Sequence, residues 1–125
     1  MLITIANVLA ALIGVGIIVI GVRGILAPQG AAGFGIPGTP TADRTFQGWL
    51  TVKAVRDIAS GVFVFILLAG ATPHLLGWFM LAAAGIPLGD ALIVWRSNGP
   101  KAVVYGVHGA TAAVMLVISA LLFVG

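Results

Sequence analysis

Residues 2–26 read LITIANVLAALIGVGIIVIGVRGIL, an apolar run in which Arg23 is the only charged side chain. A helix needs about 20 mostly apolar residues to cross the hydrocarbon layer of a bilayer. No basic residue precedes the run, and the run is longer than the roughly 7–15 apolar residues of a cleaved signal peptide. We therefore expect a retained transmembrane helix at residues 2–26.

The whole chain is as apolar as its first segment. Of its 125 residues, 61% are hydrophobic and 7% are charged, whereas about 25% of a soluble domain is charged. The lipid bilayer is therefore the expected surrounding of most of the surface. Three further apolar segments are long enough to span it: Gly48–Ala69, His74–Trp95 and Ala102–Val124. We predict an all-α, polytopic membrane protein, a four-transmembrane-helix bundle that forms one domain over residues 1–125.

The first connection, residues 27–47, is long and rich in glycine and proline. Pro28, Pro37 and Pro40 exclude a continuous helix there, yet the segment is apolar at Phe34 and Ile36. Segments of this length in compact proteins are often functional. Two interpretations are open: the segment folds back over the bundle as a lid or re-entrant piece, or it is a loose interfacial loop.

Several classes of site have no support in the sequence. Cysteine is absent, which excludes disulfides and thiol chemistry. The six Lys and Arg residues form no basic run, so no nucleic-acid partner is expected. The two His and three Asp residues have no metal-ligand spacing, so we expect no metal. No nucleotide or dinucleotide fingerprint is present, and we expect no cofactor.

The second predicted helix carries a group of charged side chains on one face. Lys53, Arg56, Asp57 and Ser60 fall within an arc of about 100° around the helix. A charge at the centre of a lipid-facing helix costs at least about 2.5 kcal/mol. We therefore expect this face to point into the bundle.

Two side chains on other helices lie at the same depth as this face. Asp90 and His108 are both expected roughly 8–10 Å inside the cytoplasmic boundary. The layer then holds two cations, Lys53 and Arg56, and two anions, Asp57 and Asp90, which predicts an Arg56–Asp90 pair between helices. His108 is left without an obligatory partner and is the candidate acid–base group.

This layer is the candidate site. The candidate catalytic residues are its titratable side chains: Lys53, Arg56, Asp57, Asp90 and His108. The candidate substrate-binding residues are the polar or amphipathic side chains near them: Trp49, Ser60, Tyr105 and Thr111. A purely structural interpretation remains open, in which the charges only lock the helices together and Lys53–Asp57 is a simple i,i+4 pair.

Three functions compete for such a site. The leading hypothesis is binding or acid–base conversion, of the isomerase or cyclase kind, of a lipophilic small molecule. Asp90 or His108 would move a proton while Arg56 and Lys53 stabilise negative charge. The alternatives are a proton-coupled transporter that acts as a dimer, and a structural or partner-binding membrane subunit. Whether the protein is an enzyme is left open.

Small residues recur at four-residue spacing in three predicted helices. Such spacing lets helix backbones approach closely. The positions are Ala6, Ala10 and Gly14, then Gly85 and Gly89, then Gly106 and Ala110. They predict either internal packing or the face of a homo-oligomer.

The stretches VKAVRDIASG at 52–61, PLGD at 87–90 and GFGIP at 33–37 carry a resemblance to known proteins. Together they resemble a family of small uncharacterised four-helix integral membrane proteins of bacteria and fungi, over nearly the whole chain. The resemblance implies the four-helix fold and singles out Arg56, Asp57 and Asp90. It implies no established activity.

Orientation follows from the basic residues at the ends of the connections. Arg23 and Arg44 flank the first connection, Arg96 and Lys101 flank the third, and the second has none. Connections with an excess of Lys and Arg stay in the cytoplasm. We expect a multi-pass protein of the cell membrane with residues 27–47 and 96–101 cytoplasmic and both termini outside.

Cysteine labelling tests this orientation, since the chain has no cysteine of its own. Thr72→Cys in the second connection should react with a membrane-impermeant maleimide added to intact cells. Ser97→Cys in the third connection should react only after the cells are permeabilised. The reverse pattern would contradict the predicted orientation.

Overall fold

All 125 residues are described by the structure, a computed structural model, and they form helices and connections without any β-strand. The α-helices are α1 (Leu2–Leu26), α2 (Arg44–Gly70), α3 (Pro73–Ala83), α4 (Gly85–Arg96), α5 (Lys101–Val103) and α6 (Ala110–Val124). A 3-10 helix covers Pro28–Phe34 and a π-helix covers Val104–Gly109. The expected all-α class is confirmed.

Three helical segments are long and apolar enough to cross a membrane. They are Leu2–Leu26, Pro73–Arg96 and Lys101–Val124. The remaining long helix, α2, has 27 residues. It differs from the other three because Lys53, Arg56 and Asp57 lie within one turn of each other near its middle.

Helix α2 begins four residues before the start expected from hydropathy. Asp43 precedes it in an extended conformation and its Oδ2 accepts a hydrogen bond from the backbone N–H of Phe46 at 2.7 Å. Such a cap satisfies one of the free N–H groups of the first turn. The cap therefore allows the polar stretch from Arg44 to Gln47 to be helical, although hydropathy did not include it in the helix.

The third predicted helix is divided at Ala84. Pro87 has no N–H to donate to the carbonyl of Ala83, so the regular hydrogen-bond ladder is broken at that point. Hydrogen bonding resumes with the N–H of Leu88, which bonds to the Ala84 oxygen at 3.2 Å. The expected single helix is thus two helices, α3 and α4, joined at one residue.

The core lies where α6 packs against α1 and α3, while α2 packs mainly against α1. Ala6 and Ala10 are fully buried, and Gly14 faces Gly61 of α2. The small residues of the first helix therefore serve internal packing. By contrast, Gly85, Gly89 and Gly106 have open space where a side chain would project, so these positions do not pack inside the chain.

The segment after α1 folds back toward the end of α4 and the start of α5. Gly35 has φ +108°, and a methyl group there would lie 2.8 Å from Val103 and 2.9 Å from Val94. Only glycine fits both the backbone conformation and the space. We call residues 28–35 the covering segment, because Gly35 packs against α4 and α5 and Phe34 packs on His108.

The end of α4 is shaped to receive the covering segment. The N–H of Gly99 bonds to the Val94 oxygen at 2.9 Å, the N–H of Asn98 bonds to the Trp95 oxygen at 3.1 Å, and Asn98 has φ 59°. This is a Schellman ending. It brings Gly99 against the carbonyl of Gly35, so the third connection and the covering segment are in direct contact.

The Gly14–Gly61 contact predicts the effect of a single methyl group. In Gly61→Ala the new Cβ would lie 2.6 Å from the Gly14 oxygen and 2.5 Å from Ile18. Such overpacking should lower the free energy of unfolding by about 1–3 kcal/mol. Gly16→Ala on the same pair of helices is the control, since nothing lies within 4 Å, and helix propensity should raise its stability by about 1 kcal/mol. Thermal unfolding followed by circular dichroism measures both, and an unchanged Gly61→Ala protein would contradict this packing.

Candidate functional site

A cavity of about 570 Å³ lies between α1, the first half of α2, the covering segment and the π-helix. Most of its wall is apolar or glycine. Its charged, aromatic and imidazole side chains are Arg23, Phe34, Phe46, Trp49, Lys53, Asp57 and His108. A mostly apolar wall with a few polar groups is typical of small-molecule sites.

His108 joins the π-helix to the covering segment. Its side chain is buried, with 8% of the residue exposed, and Nε2 lies 2.8 Å from the carbonyl oxygen of Phe34. A carbonyl oxygen only accepts, so Nε2 carries the hydrogen and Nδ1 of the neutral ring is the acceptor. The Phe34 ring packs on the imidazole with centroids 4.5 Å apart. The hydrogen bond therefore sets both the orientation and the tautomer of His108.

Lys53 and Asp57 form an ion pair one helical turn apart. Lys53 Nζ lies 2.5 Å from Asp57 Oδ2, and it also lies 5.6 Å from the centroid of the Phe34 ring. The cation is partly exposed while the carboxylate is largely buried. Phe34 is therefore placed between the ammonium group of α2 and the imidazole of the π-helix, and it contacts both Lys53 and His108 in the cavity wall.

Asp90 lies on α4, outside the cavity wall. Its side chain is half-buried, and α4 packs against the π-helix that carries His108. The one salt bridge of the chain joins Lys53 to Asp57, so no cation lies within ion-pair distance of Asp90. The structure brings Asp90 near the site without placing it in contact with the cavity.

Arg56 corrects the prediction made from the sequence. Its side chain is exposed and Nη1 donates to the backbone oxygen of Val52 at 3.2 Å. The expected Arg56–Asp90 ion pair is not formed, and that expectation was wrong. Arg56 and Asp57 are separated by about 100° around the helix. Because Asp57 faces the cavity, its neighbour Arg56 points away from it, and the balanced layer of four charges does not exist.

The predicted substrate-binding residues divide in the same way. Trp49 lines the mouth of the cavity and is 69% exposed. Tyr105 is exposed outside the cavity. Ser60 and Thr111 donate to carbonyl oxygens of their own helices, at 2.8 Å and 2.7 Å, and do not line the cavity. Of the predicted site residues, the structure brings four together in the cavity wall: Trp49, Lys53, Asp57 and His108.

The sequence reasoning missed Arg23, Phe46 and Phe34 as cavity residues. Arg23 was interpreted only as an orientation signal, although it is the one charge in α1. Phe34 had a signal, since it is a large apolar side chain within a glycine-rich segment. No three His or Asp side chains are grouped as a metal site would require.

The hydrogen bond between His108 and Phe34 predicts the mobility of the covering segment. His108→Leu removes the donor of this hydrogen bond, and the bond contributes about 0.5–1.5 kcal/mol to the stability of the closed segment. Amide hydrogen exchange in residues 28–35 should therefore accelerate about two- to tenfold. Thr111→Val is the control, because Thr111 bonds only within its own helix. Equal exchange rates in wild type and His108→Leu, measured by mass spectrometry, would show that this bond does not hold the segment.

Comparison with known proteins places the chain in a family. No curated protein and no solved structure matches it. Residues 14–122 match a family described as a domain of unknown function, DUF4267. The match spans every residue that lines the cavity, from Ile20 to His108. The expected membership of a family of uncharacterised proteins is confirmed: the chain belongs to the DUF4267 family.

Proposed function

We propose that the protein is a membrane protein with four spanning segments and that its cavity binds a lipophilic small molecule. Three segments have the length and apolarity of spans, and α2 is long enough to be the fourth. The Lys53–Asp57 pair reduces the cost of charge in α2, since a paired carboxylate and ammonium are cheaper to bury than either alone. Both termini would be outside, and the cavity would open at the cytoplasmic end.

The observation that carries the proposal is the cavity itself. Its volume of about 570 Å³ falls within the range of about 300–1,000 Å³ typical of sites for small organic molecules. Ile20, Leu50, Phe46 and Val107 supply apolar wall, and each 100 Å² of apolar surface removed from water contributes about 2.5 kcal/mol. The wall therefore favours a ligand that is mostly hydrocarbon.

The polar side of the cavity supports acid–base conversion of that ligand, of the isomerase or cyclase kind. His108 Nδ1 would take a proton from one carbon or oxygen of the substrate and the imidazolium would return a proton at another position. Lys53 would stabilise the negative charge that develops between the two steps. Phe34 orients the imidazole through its carbonyl oxygen. Asp90, which has no contact with the cavity, would act on His108 through its charge alone.

Photolabelling tests occupation of the cavity. The probe is dodecanol carrying a diazirine, used on protein in phosphatidylcholine nanodiscs. Labelling should be saturable, should map to peptides within residues 20–57, and should be competed by unlabelled dodecanol. Ala31→Trp, at a cavity-lining position, should reduce saturable labelling about tenfold by filling the space. Ala32→Trp is the matched control, because Ala32 is the next residue in the chain and does not line this cavity.

Two results would contradict the proposal. Labelling that rises linearly with probe concentration would mean that the molecule only dissolves in lipid. Equal loss of labelling in Ala31→Trp and Ala32→Trp, with both proteins helical by circular dichroism, would mean that the cavity is not where the probe binds.

A further inference from the structure

Arg23 is the cavity-lining cation that has no anionic partner. The single carboxylate of the wall, Asp57, is engaged by Lys53 at 2.5 Å. Two cations, Arg23 and Lys53, therefore face one anion, which leaves one net positive charge on the wall. His108 adds a further N–H, but that group already donates to the Phe34 carbonyl. The unmatched charge of the cavity is thus the guanidinium of Arg23.

Close packing between α1 and α2 brings Arg23 to the level of Lys53. A methyl group at Gly21 would lie 2.7 Å from the Ala54 oxygen, and one at Gly24 would lie 3.4 Å from the Ala54 Cβ. The backbone of α1 therefore lies close against α2 at Gly21, two residues before Arg23, and it meets α2 next to Lys53. Both cations belong to these two packed helices, and both line the same apolar cavity.

Arg96 shows that a position in the last turn of a helix does not by itself place an arginine in a cavity. Arg23 and Arg96 each lie in the last turn of a helix, where a cation interacts favourably with the helix dipole. Arg96 lines neither this cavity nor the shallower pocket at the covering segment. The combination of an unpaired guanidinium and an apolar cavity is particular to Arg23.

We propose that the ligand of the cavity is an amphiphile with one anionic head group, a carboxylate or a phosphate, and that Arg23 binds this group. The inference rests on the proposed function and adds the chemical class of the ligand. A guanidinium forms two parallel hydrogen bonds to a carboxylate or phosphate. The ligand's head group neutralises the net charge of the wall, while its hydrocarbon part lies against Ile20, Phe46 and Leu50.

Competition against the diazirine-dodecanol label tests the head group. The competitors are dodecanoate, dodecyl phosphate and dodecanol, which share one chain, and acetate, which has the head group alone. At a pH where dodecanoate is ionised, at least one of the two anionic amphiphiles should compete about tenfold better than dodecanol. The better of the two identifies the head group, and acetate should not compete at the same concentrations.

Variants assign the preference to Arg23. Arg23→Gln should abolish the advantage of the anionic competitors over dodecanol. Arg23→Lys should keep most of the advantage, because the charge remains, and Arg96→Gln should keep all of it. If Arg23→Gln does not fold, Arg23→Met provides the same test: loss of the anionic advantage supports binding of the head group by Arg23, and an advantage kept in full overturns the inference.

The outcomes separate this inference from the proposed function. If dodecanol competes as well as both anions, or if Arg23→Gln keeps the anionic advantage, the inference is overturned while the apolar site stands. If labelling of the wild-type protein does not saturate and no competitor reduces it, the proposed function itself fails.

Discussion

The hydrogen bond from His108 Nε2 to the Phe34 carbonyl oxygen is the constraint on which the rest of the site depends. It links the covering segment to the π-helix, and the covering segment supplies Gly30, Ala31, Gly33 and Phe34 to the wall of the cavity. The same bond leaves Nδ1 as the acceptor of the imidazole. One backbone carbonyl thus bears on both the wall of the cavity and the tautomer of His108. The fit of Gly35 between Val94 and Val103 supports the arrangement from the other side.

Burying a charged side chain in an apolar chain is costly unless the charge is paired. The charged side chains around the site are accommodated in three ways. Lys53 and Asp57 neutralise one another within α2. Arg56 bonds to a carbonyl of its own helix on the exposed side. Arg23 lines the cavity without a partner, which makes the cavity positive. The close contact of α1 with α2 at Gly21 and Ala54 brings these two helices together at the level of the cavity that Arg23 and Lys53 both line.

Much of the fold was predictable because it depends on local properties of the chain. The length and apolarity of residues 2–26 predict α1 with its observed bounds. Pro28 ends that helix. The division of the third helix was not predicted, although Pro87 has no N–H for the carbonyl of Ala83. The start of α2 was misplaced because a polar cap, Asp43, extends a helix beyond its apolar part. The Lys53–Asp57 pair was foreseen as a possibility, since four-residue spacing alone brings the two side chains together.

The sequence by itself determined the helical class, the apolar segments and the identity of the few ionisable groups, and it allowed the i,i+4 ion pair. The tertiary structure alone decided that His108 meets Phe34, 74 residues away in the chain, that Arg56 points outward, and that Arg23 lines a cavity. Helical spacing states which side chains share a face, and it sets their angles to within a few tens of degrees. It does not state which neighbour covers that face, because this depends on where glycines such as Gly21, Gly35 and Gly61 let backbones approach. The site is therefore a product of packing between distant segments.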